Sequence, residues 1–242
     1  GLVRYETHDG GVAVITLTNP PANAYSHEMM RDLDDAILQA RFADEVQVIV
    51  LAGEGEKFFC AGADIAMLEK VTPAFKYNFC LHANETLLRL EHTPKLVIAA
   101  IEGHCVGGGL EVALACDLRV MSPSAKIGLT EVSLAIIPGA GGTQRLPRIV
   151  GEAKAKELVL LARRLEAPEA LALGLVNRVA AEGQSALECA LELCAPFENA
   201  APIAVAAALD AIDGAADLSL DAGLLHERRC YERTLASEDR LE

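Results

Sequence analysis

Apolar residues recur with two different periods along this chain, and where the period changes the elements change. Residues 12–17 are apolar and β-branched, bounded by Gly10-Gly11 and Asn19-Pro20-Pro21, which predicts a strand. Over 27–42, Met30, Leu33, Ile37 and Ala40 fall at helical spacing. A second strand at 46–51 ends at Gly53-Glu54-Gly55. Residues 75–91 fit a helix and 95–101 a buried strand. A short helix at 110–116 precedes short strands at 118–121 and 126–129. From 152 the pattern is helical, over 153–161, 168–172, 185–194 and 202–212. Strands alternating with helices, followed by helices alone, describe an α/β core with a C-terminal helical segment. The expected division is residues 1–189 and 190–242. The Ala-rich faces of the second part point to packing against another subunit.

Composition narrows the partners. With 242 residues, 52% of them apolar, the chain can bury a sizeable core. No apolar run is both long and uncharged enough to span a bilayer, and the opening residues Gly1 to Tyr5 do not read as a signal peptide. A net charge of −14, with 21 Lys and Arg and no basic stripe, argues against nucleic acid. Seven Cys without a CxxC pair read as free thiols of a reducing compartment, which makes the cytoplasm the expected location.

Three glycine-containing runs carry candidate chemistry. Gly107-Gly108-Gly109-Leu110-Glu111 follows a strand and opens a helix, so its amides are orphan donors that a ligand can approach closely. Glu111 falls in the first turn, where the dipole favours the carboxylate while burial opposes it, as suits a general base. Ala61-Gly62-Ala63-Asp64-Ile65 also ends a loop, with Asp64 placed to stabilise the next helix start. One amide from each run, aimed at a single carbonyl oxygen, would form an oxyanion hole. Glu131 ends a predicted strand before Pro138-Gly139-Ala140-Gly141-Gly142. That loop lacks the Gly-Lys-Ser/Thr of a P-loop and the GxGxxG spacing of a dinucleotide site, and no GxSxG elbow occurs. His104 reads as a structural histidine, Cys60 and Cys105 as core thiols, and no His/Asp/Glu cluster has metal-ligand spacing.

Cys60 to Ile65, Gly103 to Glu111 and Glu131 to Leu146, in that order and spacing, resemble the crotonase (enoyl-CoA hydratase/isomerase) family. Asn19-Pro20-Pro21-Ala22-Asn23-Ala24 matches its first CoA loop, and the resemblance runs from about residue 3 to 240. It implies a spiral of ββα units with C-terminal helices that form a homotrimer or a dimer of trimers. It implies Ala63 and Gly108 as oxyanion-hole amides, Glu111 and Glu131 as the catalytic pair, and Ala22, Ala24, Ala61, Asp64, Ile65, Gly107 and Gly139 as substrate-binding positions. The substrate would be an acyl-CoA thioester, with coenzyme A part of the substrate and no separate cofactor or metal. Phe75, Phe79, Leu81 and residues 133–137 would shape the acyl pocket. Ala66 stands where relatives carry a Lys, Lys57 could meet a CoA phosphate, and a final basic helix would follow Arg240-Leu241-Glu242.

Both glutamates point to hydration of a 2-enoyl-CoA, with Glu111 activating water and Glu131 delivering a proton to C2. The alternative is a Δ3-Δ2 enoyl-CoA isomerase or another thioester-enolate enzyme of the family. A non-catalytic or RNA-binding relative is opposed by the acidic charge and the intact carboxylates.

Overall fold

Three strands with almost no polar residues sit side by side at the centre. Strands β2 (Val12–Leu17), β3 (Val48–Gly53) and β5 (Leu96–Ile101) run parallel, with Val12 opposite Val48 and Val48 opposite Leu96. Their buried faces on both sides explain the unbroken Val/Ile/Leu runs. Strand β1 (Val3–His8) pairs antiparallel with β2 at one edge. Strands β7 (Leu118–Met121) and β10 (Arg178–Val179) complete a six-stranded sheet in the order β1-β2-β3-β5-β7-β10. A second sheet contains β4 (Phe58–Cys60), β6 (His104–Val106), β8 (Lys126–Gly128) and β9 (Leu165–Glu166), in that order. The computed structural model describes residues 1–235 and Ser237; the expected junction with a basic tail at Arg240 to Glu242 lies outside the described residues.

The path of the chain explains the two sheets. From β3 it passes to β4, from β5 to β6 and from β7 to β8, laying one strand in each sheet before each helical return. The returns are α2 (Ile65–Glu69) with α3 (Pro73–Glu91), then α4 (Gly108–Leu114), then α5 (Gly142–Val150). This is the spiral of ββα units expected from the sequence. Helix starts are set locally: Ser26 accepts from the Met29 amide to begin α1 (His27–Phe42), and Thr72 caps α3 ahead of Pro73.

Helices α6 (Glu152–Leu160) and α7 (Ala167–Ala172) follow, then α8 (Ala186–Cys194), which a Ser185/Glu188 capping box opens. Ala186, Cys189 and Ala190 of α8 pack on Val48, Val50 and Ile98 of the six-stranded sheet. The expected 189/190 division therefore falls inside a helix that covers the core. Helices α9 (Pro202–Asp213) and α10 (Leu220–Leu235) come after it and pack on each other. Among the described residues no helix is long and apolar enough to cross a membrane.

Several elements escaped the pattern for physical reasons. Strand β1 reads as polar because its outer face is exposed, and β4 and β6 have three residues each, too few to show a period. Helix α5 contains Pro147, which masks its helical period, and the apolar residues of α10 are mostly exposed, with Cys230 as its buried residue.

Close packing between the sheets and the returns is steric. A Cβ on Gly109 would stand 2.0 Å from the Cys60 carbonyl oxygen, so α4 can lie against β4 only with glycine there. A Cβ on Gly223 of α10 would meet nothing within 4 Å. Gly109→Ala should lower the unfolding free energy by more than about 2 kcal/mol, by overpacking against backbone. Gly223→Ala should leave it unchanged or raise it by about 0.5–1 kcal/mol, by helix propensity. Urea denaturation of the two variants checks both.

Candidate active site

The spiral brings its three glycine-containing segments to one cavity of about 580 Å³. Ala61 to Ala63 arrive from the end of β4, Gly107 and Gly108 from the end of β6, and Glu131 from the end of β8. All three strands are parallel neighbours in the smaller sheet, so their carboxyl ends emerge together. Helix α3 closes the remaining side with Phe79, Cys80 and Ala83.

Two amides are left free by this arrangement. Tyr25 forms a parallel bridge with Ala63, its amide donating to the Gly62 carbonyl and its carbonyl accepting from Asp64, both at 2.9 Å. The polar groups of Gly62 and Asp64 are thus turned toward Tyr25, and the Ala63 N–H, on the intervening residue, is turned away from it. The Gly108 amide, first in α4, has no acceptor within its own helix. A Cβ on Gly62 would lie 2.9 Å from the Gly108 nitrogen, which shows how closely the two segments approach. Tyr25 packs against the same glycine: a Cβ on Gly108 would stand 2.2 Å from its hydroxyl. Burial first, then the Glu111 charge, pushes the phenol well above its ordinary range, so it stays protonated.

The two carboxylates occupy unlike environments. Glu111 is 2% exposed, and its Oε1 accepts from the amides of Ala140 at 2.8 Å and Gly142 at 2.7 Å. The helix start that holds this carboxylate is therefore that of α5, not the N-terminus of its own helix. Burial raises its pKa, and the Gly142 and Ala140 amides and Arg145 pull it back without overcoming burial. Glu131 is 8% exposed, and neither carboxylate oxygen has a hydrogen-bond partner. Burial pushes it up to about 7, with the Glu111 charge adding to the shift.

Helix α3 clamps the loop that serves Glu111. Asn84 donates to the Gly139 carbonyl at 2.7 Å. Arg145 pairs with Glu91 through two contacts of 2.9 and 2.7 Å and donates to the Ala140 carbonyl at 3.1 Å. Both ends of residues 139–145 are fixed, which aims the Ala140 and Gly142 amides at one oxygen.

Of the sequence-based candidates, Ala61, Ala63, Ile65, Gly107, Gly108, Glu111, Glu131 and Gly139 line the cavity. Ala22, Ala24 and Asp64 do not. The Ala22 carbonyl accepts from Ala61 at 2.9 Å, the Ala24 carbonyl accepts from Asn19 at 2.8 Å, and Asp64 caps α2 by accepting from Met67. They shape the loops behind the lining. Phe79 faces the cavity with Leu134, Ile136 and Ile137, whereas Phe75 stacks on Phe79 and Leu81 lies outside the lining. His104 packs edge-on against Phe58, and Lys57 lies 6.0 Å over the same ring. Burial pushes the Cys60 thiol up to about 12 and Cys105 well up, as core thiols. Sequence reasoning missed Tyr25, Asn84 and Arg145. The last two sit at half-buried helix positions, and only the fold shows that they face residues 139–140.

An apolar cavity with two free amides and two buried carboxylates can stabilise negative charge on a carbonyl oxygen and move two protons beside it. Comparison with known proteins agrees with that chemistry. The enoyl-CoA hydratase/isomerase family model matches residues 7–242. YngF of Bacillus subtilis, named for that same hydratase/isomerase class, is 44% identical over 96% of this chain and 89% of its own. The short-chain-enoyl-CoA hydratase of Clostridium acetobutylicum is 38% identical over 96% and 88%. The crystal structure of an enoyl-CoA hydratase from Bacillus anthracis superposes with a TM-score of 0.96 at 38% identity, covering 100% of this chain and 94% of that one. A full-length sequence match, the same fold and a cavity suited to thioester chemistry place this chain in the enoyl-CoA hydratase/isomerase (crotonase) family.

Proposed function

We propose that this protein adds water across the C2–C3 double bond of a 2-enoyl-CoA thioester, with coenzyme A as part of the substrate and no separate cofactor. The observation that carries the reading is the pair of buried carboxyls on one cavity, one held by two amides and the other without a partner. With Glu131 raised to about 7, a proton on the pair resides there at neutral pH, and Glu111 is the ionised base.

In this mechanism the thioester oxygen lies against the Ala63 and Gly108 amides. A water gives its proton to Glu111 and its oxygen bonds to C3. The double-bond electrons move to C2 and onto the thioester oxygen, and the two amides stabilise that enolate charge. The enolate then takes the Glu131 proton at C2. Glu111 ends protonated and Glu131 ionised, and exchange with water restores the pair. Gly107 and Gly139, beside the two acids, are the positions that would confine the water and the acyl end. Ala22, Ala24, Ala61, Asp64 and Ile65 would form or support the channel for coenzyme A. The apolar lining from Leu68, Phe79, Ala83 and Ile136 suits an acyl chain.

The same reading includes a homotrimer or dimer of trimers, supported by exposed Leu220, Leu224, Leu225 and Tyr231 on α10. All seven cysteines are free, which fits a reducing compartment such as the cytoplasm.

Loss of the conjugated thioester absorbance of crotonyl-CoA tests the activity. Wild type should hydrate it, and Glu111→Gln and Glu131→Gln should each lower kcat/KM by about 10²–10⁴-fold. No hydration by wild type, together with conversion of a 3-enoyl-CoA to the conjugated isomer, would replace this reading with the Δ3-Δ2 isomerase. The pH profile of kcat/KM should fall on the alkaline side near the Glu131 value of about 7, and that limb should vanish in Glu131→Gln.

Stability should respond to the same group. A carboxyl whose folded pKa is raised binds its proton more tightly when folded. Its stabilising contribution is complete below the unfolded value and is lost as pH rises toward 7. Glu131→Gln should therefore gain on wild type between pH 5 and pH 8, on the order of 1–2 kcal/mol once solvent screening at the open cavity is allowed for. Denaturant melts at the two pH values measure the gain.

A further inference from the structure

Away from the cavity, α9 and α10 bring together three side chains of different chemistry. Asp210 comes from α9, and His226 and Cys230 lie one turn apart on α10. Their ligating atoms all fall within 4.8 Å of one another. His226 Nε2 is 3.2 Å from Asp210 Oδ1, Cys230 Sγ is 3.6 Å from Asp210 Oδ2, and Cys230 Sγ is 3.7 Å from His226 Nε2. None of the three lines the catalytic cavity.

Those distances have a simple geometric meaning. Zinc binds sulfur at about 2.3 Å and nitrogen or oxygen at about 2.0 Å, and a tetrahedral arrangement then separates its ligand atoms by roughly 3.3–3.6 Å. The His226–Cys230 edge of 3.7 Å lies next to that range. The two Asp210 edges, which run to different carboxylate oxygens, close on a single oxygen with a small rotation of the carboxylate, all ligand atoms already lying within 4.8 Å. Cys230 is the buried residue of α10, 3% exposed, while His226 is half-buried and Asp210 faces solvent. The triangle therefore has a closed side and an open side, as a site with three protein ligands and one water requires. Arg233, one helical turn beyond Cys230, donates to Asp210 Oδ2 at 2.7 Å and orients the carboxylate, leaving Oδ1 toward His226.

We infer that Asp210, His226 and Cys230 form a binding site for a tetrahedral divalent metal of the zinc type, clasping α9 to α10. The thiol loses its proton to solvent as the sulfur–metal bond forms, so affinity rises with pH. Asp210 also has a role without metal, because it accepts from Arg233 and contacts His226 and Cys230 in a polar staple. The metal would replace the direct Cys230–Asp210 and His226–Asp210 contacts, the latter including the 2.9 Å contact of His226 Nε2 with the Asp210 carbonyl oxygen, with bonds that span both helices, and would leave the Arg233 pairing in place.

The test uses the full chain, chelator-treated and kept reduced by a phosphine, titrated with zinc in a calorimeter and with cobalt in a spectrometer. One equivalent of zinc should bind with a Kd of about 10 µM or tighter. It should raise the thermal midpoint, and His226→Gln and Cys230→Ser should each weaken it by about 100-fold or more. Cobalt should give a thiolate charge-transfer band and the intense visible bands of a four-coordinate ion. Absence of stoichiometric binding, or binding undiminished in both variants, overturns the site and leaves the polar staple alone. Should either variant fail to fold, the wild-type cobalt spectrum decides, since binding without a thiolate band equally overturns it. Crotonyl-CoA hydration is read in parallel, so that failure of the metal site and failure of the hydratase reading are distinguished.

Discussion

The site depends on one oxygen atom. Glu111 Oε1 receives two backbone amides, from Ala140 and Gly142, and no side-chain cation touches it. Hydrogen bonds to a charged acceptor contribute about 1.5–3 kcal/mol each, and removing a carboxylate from water costs several kcal/mol. Burial is the larger effect here, so the pKa is raised despite both amides. That balance keeps Glu111 basic yet anchored. It also explains the surrounding architecture, because the amides aim correctly only while Asn84 and the Arg145–Glu91 pair hold the loop.

Glu131 is the complement. It is nearly as buried as Glu111 but its carboxylate oxygens have no hydrogen-bond partner, so burial outweighs the weak pull of the nearby Glu131 and Thr130 amides and pushes its carboxyl up to about 7. Two identical side chains acquire different hydrogen-bonding environments through backbone placement. A buried polar group without a partner costs stability, and its position on an open cavity is where such a cost is commonly tolerated for function.

The spiral topology makes these placements compatible with a stable core. Each turn adds a fully buried strand to the larger sheet and a short strand to the smaller one. The long apolar strands carry the packing, and the short strands end in loops free to vary. Because β4, β6 and β8 are parallel, the loops after them open on the same side, and three segments separated by tens of residues line one cavity.

Much of this was legible in the sequence. Apolar runs with β-branched residues identified β2, β3 and β5, since burial on both faces leaves no room for polar residues. The glycine-flanked acids pointed to the carboxylates, and Asp64 was recognisable as a helix cap by its position before an apolar run. What the sequence left open involves partners distant along the chain. Tyr25 turns the Ala63 amide through a bridge between residues 38 positions apart, about which local periodicity says nothing. The dipole that holds Glu111 belongs to α5, and the Asp210–His226–Cys230 triangle exists only because α9 and α10 pack together. Residue type and local period determined which elements form and which groups could act. The tertiary structure alone decided which of those groups meet, because hydrogen bonds and desolvation are set by distances across the fold, not along the chain.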